Sequence, residues 1–142
     1  MKISVQPEGF DAGFEIQSLS RQSQAIGAVA SFVGVVRDVE MTLEHYPGMT
    51  ERALEKIVEE ARGRWQVMDC TVIHRYGALK PGDPIVFVGV ASAHRGDAFA
   101  ACEFIMDYLK TQAPFWKKER VAEGERWVEA KASDDAAADR WK

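Results

Sequence analysis

The sequence predicts an α+β domain with a mixed or antiparallel sheet and two main helices. Strand-like and helix-like stretches follow one another as β–β–α–β–β–α–β. Their connections are uneven, which does not fit a doubly wound parallel sheet with its regular strand–helix alternation. The 142 residues, 46% hydrophobic and 28% charged, suffice for one real core and leave no room for a second. The expected unit is a single domain over residues 1–142, with its core at about 3–131 and a tail at 132–142.

Ile3 and Val5 open the chain as a short strand. The run Ile26 to Arg37, IGAVASFVGVVR, reads as a long strand whose glycines permit a bulge or close backbone approach. With unbroken alternation Val29, Ser31, Val33, Val35 and Arg37 share one face, and Arg37 sits at the strand end. EHYPGMT is a turn by its Pro-Gly pair. Thr50 is then the expected N-cap of a helix reaching about Trp65, with Ala53, Leu54, Ile57, Val58, Ala61 and Trp65 as its buried stripe.

CTVIHRYG follows as a short strand, ALKPGDP as a turn, and Ile85 to Ser92 as a β-branched strand. Asp97 is the expected N-cap of a second helix, which begins near Ala98 and stops near Gln112 because Pro114 lacks a donor and restricts the residue before it. Phe99, Cys102, Ile105, Met106 and Leu109 form its apolar side; Glu103, Asp107 and Lys110 form its polar side. RWVEAKA alternates like a last strand, and SDDAAADRWK reads as a frayed helix or mobile end.

A formal net charge of −4 argues against general affinity for nucleic acid, which needs a broad basic face. No apolar run approaches the ~20 residues that span a bilayer, and MKISVQPEGFDAG has no signal-peptide core. A cytoplasmic protein without a membrane partner is expected. Cys70 and Cys102 read as buried thiols in a reducing compartment. Neither they nor His45, His74 and His94 have metal-ligand spacing, and phosphate-loop, dinucleotide, C-x-x-C and H-E-x-x-H patterns are missing. Metal-free chemistry without a cofactor is expected, and His45 and His74 read as hydrogen-bonding residues of a turn and a strand.

Chemistry concentrates between Ala93 and Glu119. His94 and Arg95 follow an apolar strand at a strand-to-helix junction, a place where loops carry function on a rigid frame. Lys110 in the last helical turn is explained equally by the macrodipole and by Asp107 three residues before it. In company with Arg37, His94, Arg95 and Lys117, it reads as part of a pocket for an anionic substrate, Arg serving bidentate contacts and Lys a movable charge.

LEHYPGMTE (Leu43 to Glu51), VIHRYGALKPGDPIVFVGVASAHR (Val72 to Arg95) and FIMDYLKTQAPFWKKE (Phe104 to Glu119), with GAVASFVGVVRD upstream and RWVEA downstream, resemble the large, catalytic subunit family of molybdopterin synthase from about Gly27 to Lys131. The resemblance implies a sulfurtransferase of molybdenum cofactor biosynthesis with an α/β-hammerhead-like fold. Such enzymes convert cyclic pyranopterin monophosphate to molybdopterin, taking sulfur from the thiocarboxylate on the Gly-Gly C-terminus of a small ubiquitin-like subunit. It further implies a homodimer of large subunits inside a heterotetramer. A non-catalytic protein that binds the small subunit's tail or a phosphate is the alternative.

By motif, Lys110 in YLKT falls on the family's principal catalytic lysine and Lys117 in PFWKKE on a second. Arg37, His94 and Arg95 fall on substrate-contacting positions, the His-Arg pair acting either within its own chain or from the neighbouring large subunit. Lys118 and Glu119 fall with Lys117 along the same pocket, and Phe32, Val35, Val36 and Met106 on its wall. Two departures stand out. Only Val39 to Thr42 separate Asp38 from Leu43, where the family commonly has a longer polar loop, and Lys131 replaces a usual anion-binding arginine, keeping the charge and losing the fork. Lysines in such a pocket act as nucleophile, general base or oxyanion-stabilising ammonium, and the residues alone leave the three open.

Overall fold

The computed structural model describes residues 1–121, 124–128 and 132–142. In chain order it runs β1 (Lys2–Gln6), α1 (Ala12–Ser20), β2 (Ala28–Val35), β3 (Met41–His45), α2 (Met49–Arg64) and β4 (Asp69–Arg75). It continues through β5 (Gly77–Leu79), β6 (Pro84–Ser92), α3 (Arg95–Gln112), β7 (Phe115–Val121), β8 (Gly124–Val128) and α4 (Ala132–Asp139). Two four-stranded sheets result, ordered β1-β4-β6-β2 and β5-β3-β7-β8. The first is mixed, because β1 lies parallel to β4 while β6 is antiparallel to both β4 and β2. The second is antiparallel throughout. The architecture is therefore α+β, as expected.

Strand β6 is covered on both faces, which accounts for its nearly continuous apolar run. Val86, Val88 and Val90 pack under α2 and α3 against Leu54, Ile57, Val58, Phe104 and Ile105, whereas Phe87 and Ala91 meet Leu19 of α1 on the other side. Each such side chain, taken fully out of water, contributes about 1.5–3 kcal/mol. The helix α1 is absent from the sequence reading because only Ala12, Ile16 and Leu19 of its apolar residues face inward, while Phe14 stands 63% exposed. Asp11 starts it by accepting from the Phe14 amide at 3.0 Å.

Several expected boundaries shift for identifiable reasons. Alternation in β2 breaks at a register shift between Gly34 and Val35. Val35 and Arg37 thus do not continue the face of Val29 and Val33, and Val36 turns into a third cluster with Leu43 and Leu79. Gly48, not Thr50, caps α2: it adopts φ 82°, and its amide donates to the Glu51 carboxylate at 2.7 Å. Thr50 Oγ1 instead donates to the Tyr46 carbonyl at 2.8 Å. Asp97 does not cap α3 either; its carboxylate accepts from the Gln66 amide at 2.9 Å, and the helix starts after His94.

The buried side of α3 is wider than its simple apolar stripe. Ala98, Ala101, Phe104 and Tyr108 join Cys102, Ile105, Met106 and Leu109 inside, and Phe99 is 64% exposed. The cause is a second layer, since α2 and α4 cover flanks that a lone sheet-packed helix would leave wet. The C-terminal segment is accordingly docked rather than frayed. Ala138 is buried, and Trp141 lies edge-on to Trp65 and Phe104 with centroids 5.4 and 5.7 Å away. Its indole Nε1 donates to Asp107 at 2.6 Å, and Arg140 donates to the same carboxylate. Asp107, expected beside Lys110, is committed to the C-terminus.

Candidate active site

A corner in the chain brings the two prominent lysines together. At Ala113 the backbone turns extended (φ −75°, ψ 134°) ahead of Pro114, so α3 stops and β7 departs at once. Lys110 lies in the last turn of α3 and Lys117 is the third residue of β7. Both line a cleft of about 430 Å³ between the end of α3 and the inner face of the small sheet. Met41, Leu43, Ile85, Leu109, Phe115 and Val128 supply its apolar wall; His74 and Asp134 are its other polar lining.

β3 and β7, where the sequence predicts no strand, carry this wall. In β3 only Leu43 is fully buried, so its pattern MTLEH gives little strand signal. Register places Lys117 between Leu43 on β3 and Val128 on β8.

His74 is the residue that sequence reasoning assigned only to strand hydrogen bonding. It is 4% exposed at the end of β4, on the same side as Cys70 and Val72 by the two-residue period. Its ring stacks on Phe115, centroids 3.7 Å and planes 18° apart, and its Nδ1 lies 2.8 Å from the Arg75 carbonyl oxygen. Burial pulls its pKa down to about 4, with the charges of Lys110 and His45 pushing the same way and the Arg75 carbonyl opposing them. A neutral imidazole therefore faces the lysines at ordinary pH. The signal available in the sequence was the polar His interrupting CTVI-R, two residues past a core valine.

The remaining expected site residues lie elsewhere in the chain. His94 is the N-cap of α3 and Arg95 its first residue, both exposed. At 1.5 Å per residue they stand about 22 Å from Lys110 along the helix. Arg37 is exposed beyond the β2 bulge, next to Asp38 with φ 71°. Lys118 points to the opposite face of the small sheet from Lys117, its Nζ 4.5 Å over the Trp127 ring, and lines a smaller cleft of about 150 Å³ with Lys80 and Arg120. Glu119 returns to the Lys117 side, paired with Met41. Lys131 lies outside the described residues.

The expected wall residues also depart from the cleft within one chain. Met106 and Val36 are buried in separate clusters, and Phe32 and Val35 are 41% and 50% exposed on β2, an edge strand of the larger sheet. Among the described residues, neither Arg37, His94 nor Arg95 lines the cleft with Lys110 and Lys117.

Both cysteines are buried thiols, Cys70 raised by burial to about 12 and Cys102 to about 11. Such thiols are poor nucleophiles. Among the described residues no group of three or more His, Cys, Asp or Glu is placed to hold a metal, and no helix is long and apolar enough to cross a membrane.

Comparison with known proteins connects this geometry to a family. A family model described as MoaE protein matches residues 5–112. The molybdopterin synthase catalytic subunit of Pseudomonas aeruginosa is 58% identical over an alignment that covers 100% of this chain and 99% of its own. The solved molybdopterin biosynthesis MoaE protein from Burkholderia ambifaria superposes with a TM-score of 0.87 at 57% identity, covering 99% and 98% of the two chains. The crystal structure of molybdopterin synthase from Staphylococcus aureus gives a TM-score of 0.81 at 30% identity, covering 88% and 95%.

Proposed function

The chain belongs to the MoaE protein family and has the enzymatic function of a molybdopterin synthase catalytic subunit in molybdenum cofactor biosynthesis, and on that premise we propose that Lys110 and Lys117 carry its sulfur-transfer chemistry. The observation that supports this reading is their meeting in one apolar-walled cleft although seven positions and a helix-to-strand corner separate them.

The sulfur donor in this reading is the C-terminal thiocarboxylate of a small ubiquitin-like subunit, whose Gly-Gly tail enters the cleft. The sulfur bonds to a substrate carbon while still joined to the tail's acyl group, and a carbon–oxygen bond at that carbon breaks as its oxygen leaves. Water then adds to that acyl carbon, the acyl–sulfur bond breaks, and the sulfur stays on the pterin. An oxyanion develops at the acyl oxygen during this second step. An ammonium held beside it in an apolar cleft, where the local dielectric is low, stabilises that charge as it forms. Lys110 takes this role, and Lys117 holds the tail's carbonyl or assists proton transfer. No thiol of the chain is required, in keeping with the burial of Cys70 and Cys102.

The substrate phosphate needs guanidinium contacts, and among the described residues no arginine lines this cleft. In the proposed assembly two large subunits pair, and His94 and Arg95 of one complete the site of the other, with Arg37, Glu119 and Lys131 as further pterin contacts. The 22 Å separation along α3 favours such sharing over a site built from one chain. Lys118, on the far face of the sheet, is left out of the reacting centre.

The test is K110A, assayed for dithiolene formation with thiocarboxylated small subunit and cyclic pyranopterin monophosphate. Turnover should fall by about 10²–10³-fold with folding and small-subunit binding intact. Wild-type turnover in K110A would defeat the assignment.

A further inference from the structure

We propose that the smaller cleft, on the outer face of the small sheet, binds a phosphate-type oxyanion through Lys80 and Arg120. It is not the cleft of Lys110 and Lys117 and does not depend on their role.

The fold sets these charges side by side. Lys118 and Arg120 leave β7 on one face by the two-residue period, and Lys118 pairs in register with Thr42, as Thr42 does with Ala78. Lys80 follows directly on the last residue of β5. All of them line one cleft of about 150 Å³, where Glu40 is the one carboxylate among the described residues. Backbone bonds fix the frame: the Arg120 amide donates to the Glu40 carbonyl at 2.9 Å. The Lys80 amide donates to the Asp83 carboxylate at 2.9 Å, and the Asp83 amide returns to the Lys80 carbonyl at 3.0 Å. Among the described residues neither Lys80 nor Arg120 forms an ion pair, even though Glu40 lines the same cleft. Their charge is therefore open to a ligand.

The residue types select the ligand. A guanidinium offers a planar fork that matches the oxygens of a phosphate, and an ammonium adds a point charge. The volume is below the roughly 300–1,000 Å³ of pockets that enclose a drug-sized molecule, so it takes one compact group and not a nucleoside. A chain of net charge −4 repels an extended polyanion. Glu40 weakens the attraction without cancelling it, since two unpaired cations face it.

The probe is inorganic phosphate, titrated at constant ionic strength into the whole chain. Nitrogen–proton NMR follows the Thr42 and Arg120 amides and the indole of Trp127, over which the Lys118 Nζ stands at 4.5 Å. A saturable shift of these signals is expected. Lys80 and Arg120 are both exposed, so their variants keep the fold. K80A combined with R120A should weaken binding by about tenfold or more, as two charge-assisted contacts are lost. E40Q should instead tighten it by about two- to fivefold, a change of sign that a merely structural role would not produce. K110A should bind as wild type does, whatever its turnover. Phenyl phosphate titrated in parallel decides the source: tighter binding than the free ion assigns the cleft to a phosphate monoester, weaker binding to inorganic phosphate. Shifts that chloride reproduces at equal ionic strength, equal affinities in wild type and the double variant, or lost binding in K110A overturn the proposal. A response to the small subunit with none to phosphate overturns it too and gives the cleft to an acidic protein face.

Discussion

Lys117 and Lys118 are neighbours in the chain and lie on opposite faces of one sheet: the first lines the larger cleft with Lys110, the second sits over Trp127 beside Lys80 and Arg120. The two-residue period of β7 enforces that separation. K117A should therefore slow sulfur transfer by about 10–100-fold, the range of a lost acid–base or positioning group. K118A should cost less than about threefold, as for a surface substitution. Parallel steady-state assays of the two variants decide, and comparable losses in both would reject the division of roles.

Gly27 precedes β2 with no room for a side chain, since an added Cβ would come 2.3 Å from the Ala93 carbonyl oxygen. Its amide meanwhile donates to the Ser92 carbonyl at 3.0 Å, so the two backbone segments cannot part without losing that bond. G27A should lower stability by about 1–3 kcal/mol, read from the urea midpoint. Unchanged stability would show that the junction leading to His94 is softer than drawn.

His74 makes the fold sensitive to acid over a defined window. Its folded pKa is about 4 against an ordinary 6.5, so below about pH 6.5 the unfolded chain takes up a proton that the folded chain refuses. The unfolded state binds more protons there, and stability falls as pH falls, reaching a loss on the order of 3 kcal/mol at about pH 4. Above about pH 7 the group contributes no slope. Denaturant titrations of wild type and H74Q through this range should diverge in slope only on the acid side.

Trp141 ties the C-terminus to the body through Trp65, Phe104 and Asp107. W141A should cost about 2–3 kcal/mol, below the range for a fully buried tryptophan because this one is half-buried. Thermal unfolding measures it. A shift of under a degree would mean that α4 contributes nothing to the core.

What the sequence made legible follows from strength of pattern. The α2 stripe of Leu54, Ile57, Val58 and Ala61 repeats at helical spacing and is buried as read, and Pro114 ends α3 where expected. β3 was illegible because its apolar content is only Met41 and Leu43 beside polar residues, and its strand character comes from pairing with β5 and β7. The docking of α4 was illegible because SDDAAAD carries almost no apolar face, while the anchor, Trp141, lies beyond the helix. Lys110 and Lys117 stood out as cations around a proline. His74 did not, since only its stacking on Phe115, 41 positions later, places it at the cleft.

Helix α3 carries Arg95 at one end and Lys110 at the other and, as a rod, cannot fold back to unite them. In the paired assembly proposed above, inactive alleles should therefore rescue one another. Co-expressed K110A and R95A chains that associate at random would give mixed pairs with one intact crevice and one doubly damaged, restoring about a quarter of the wild-type rate. Each allele alone stays silent, and the rescued activity would vanish on any change that keeps copies of the chain apart.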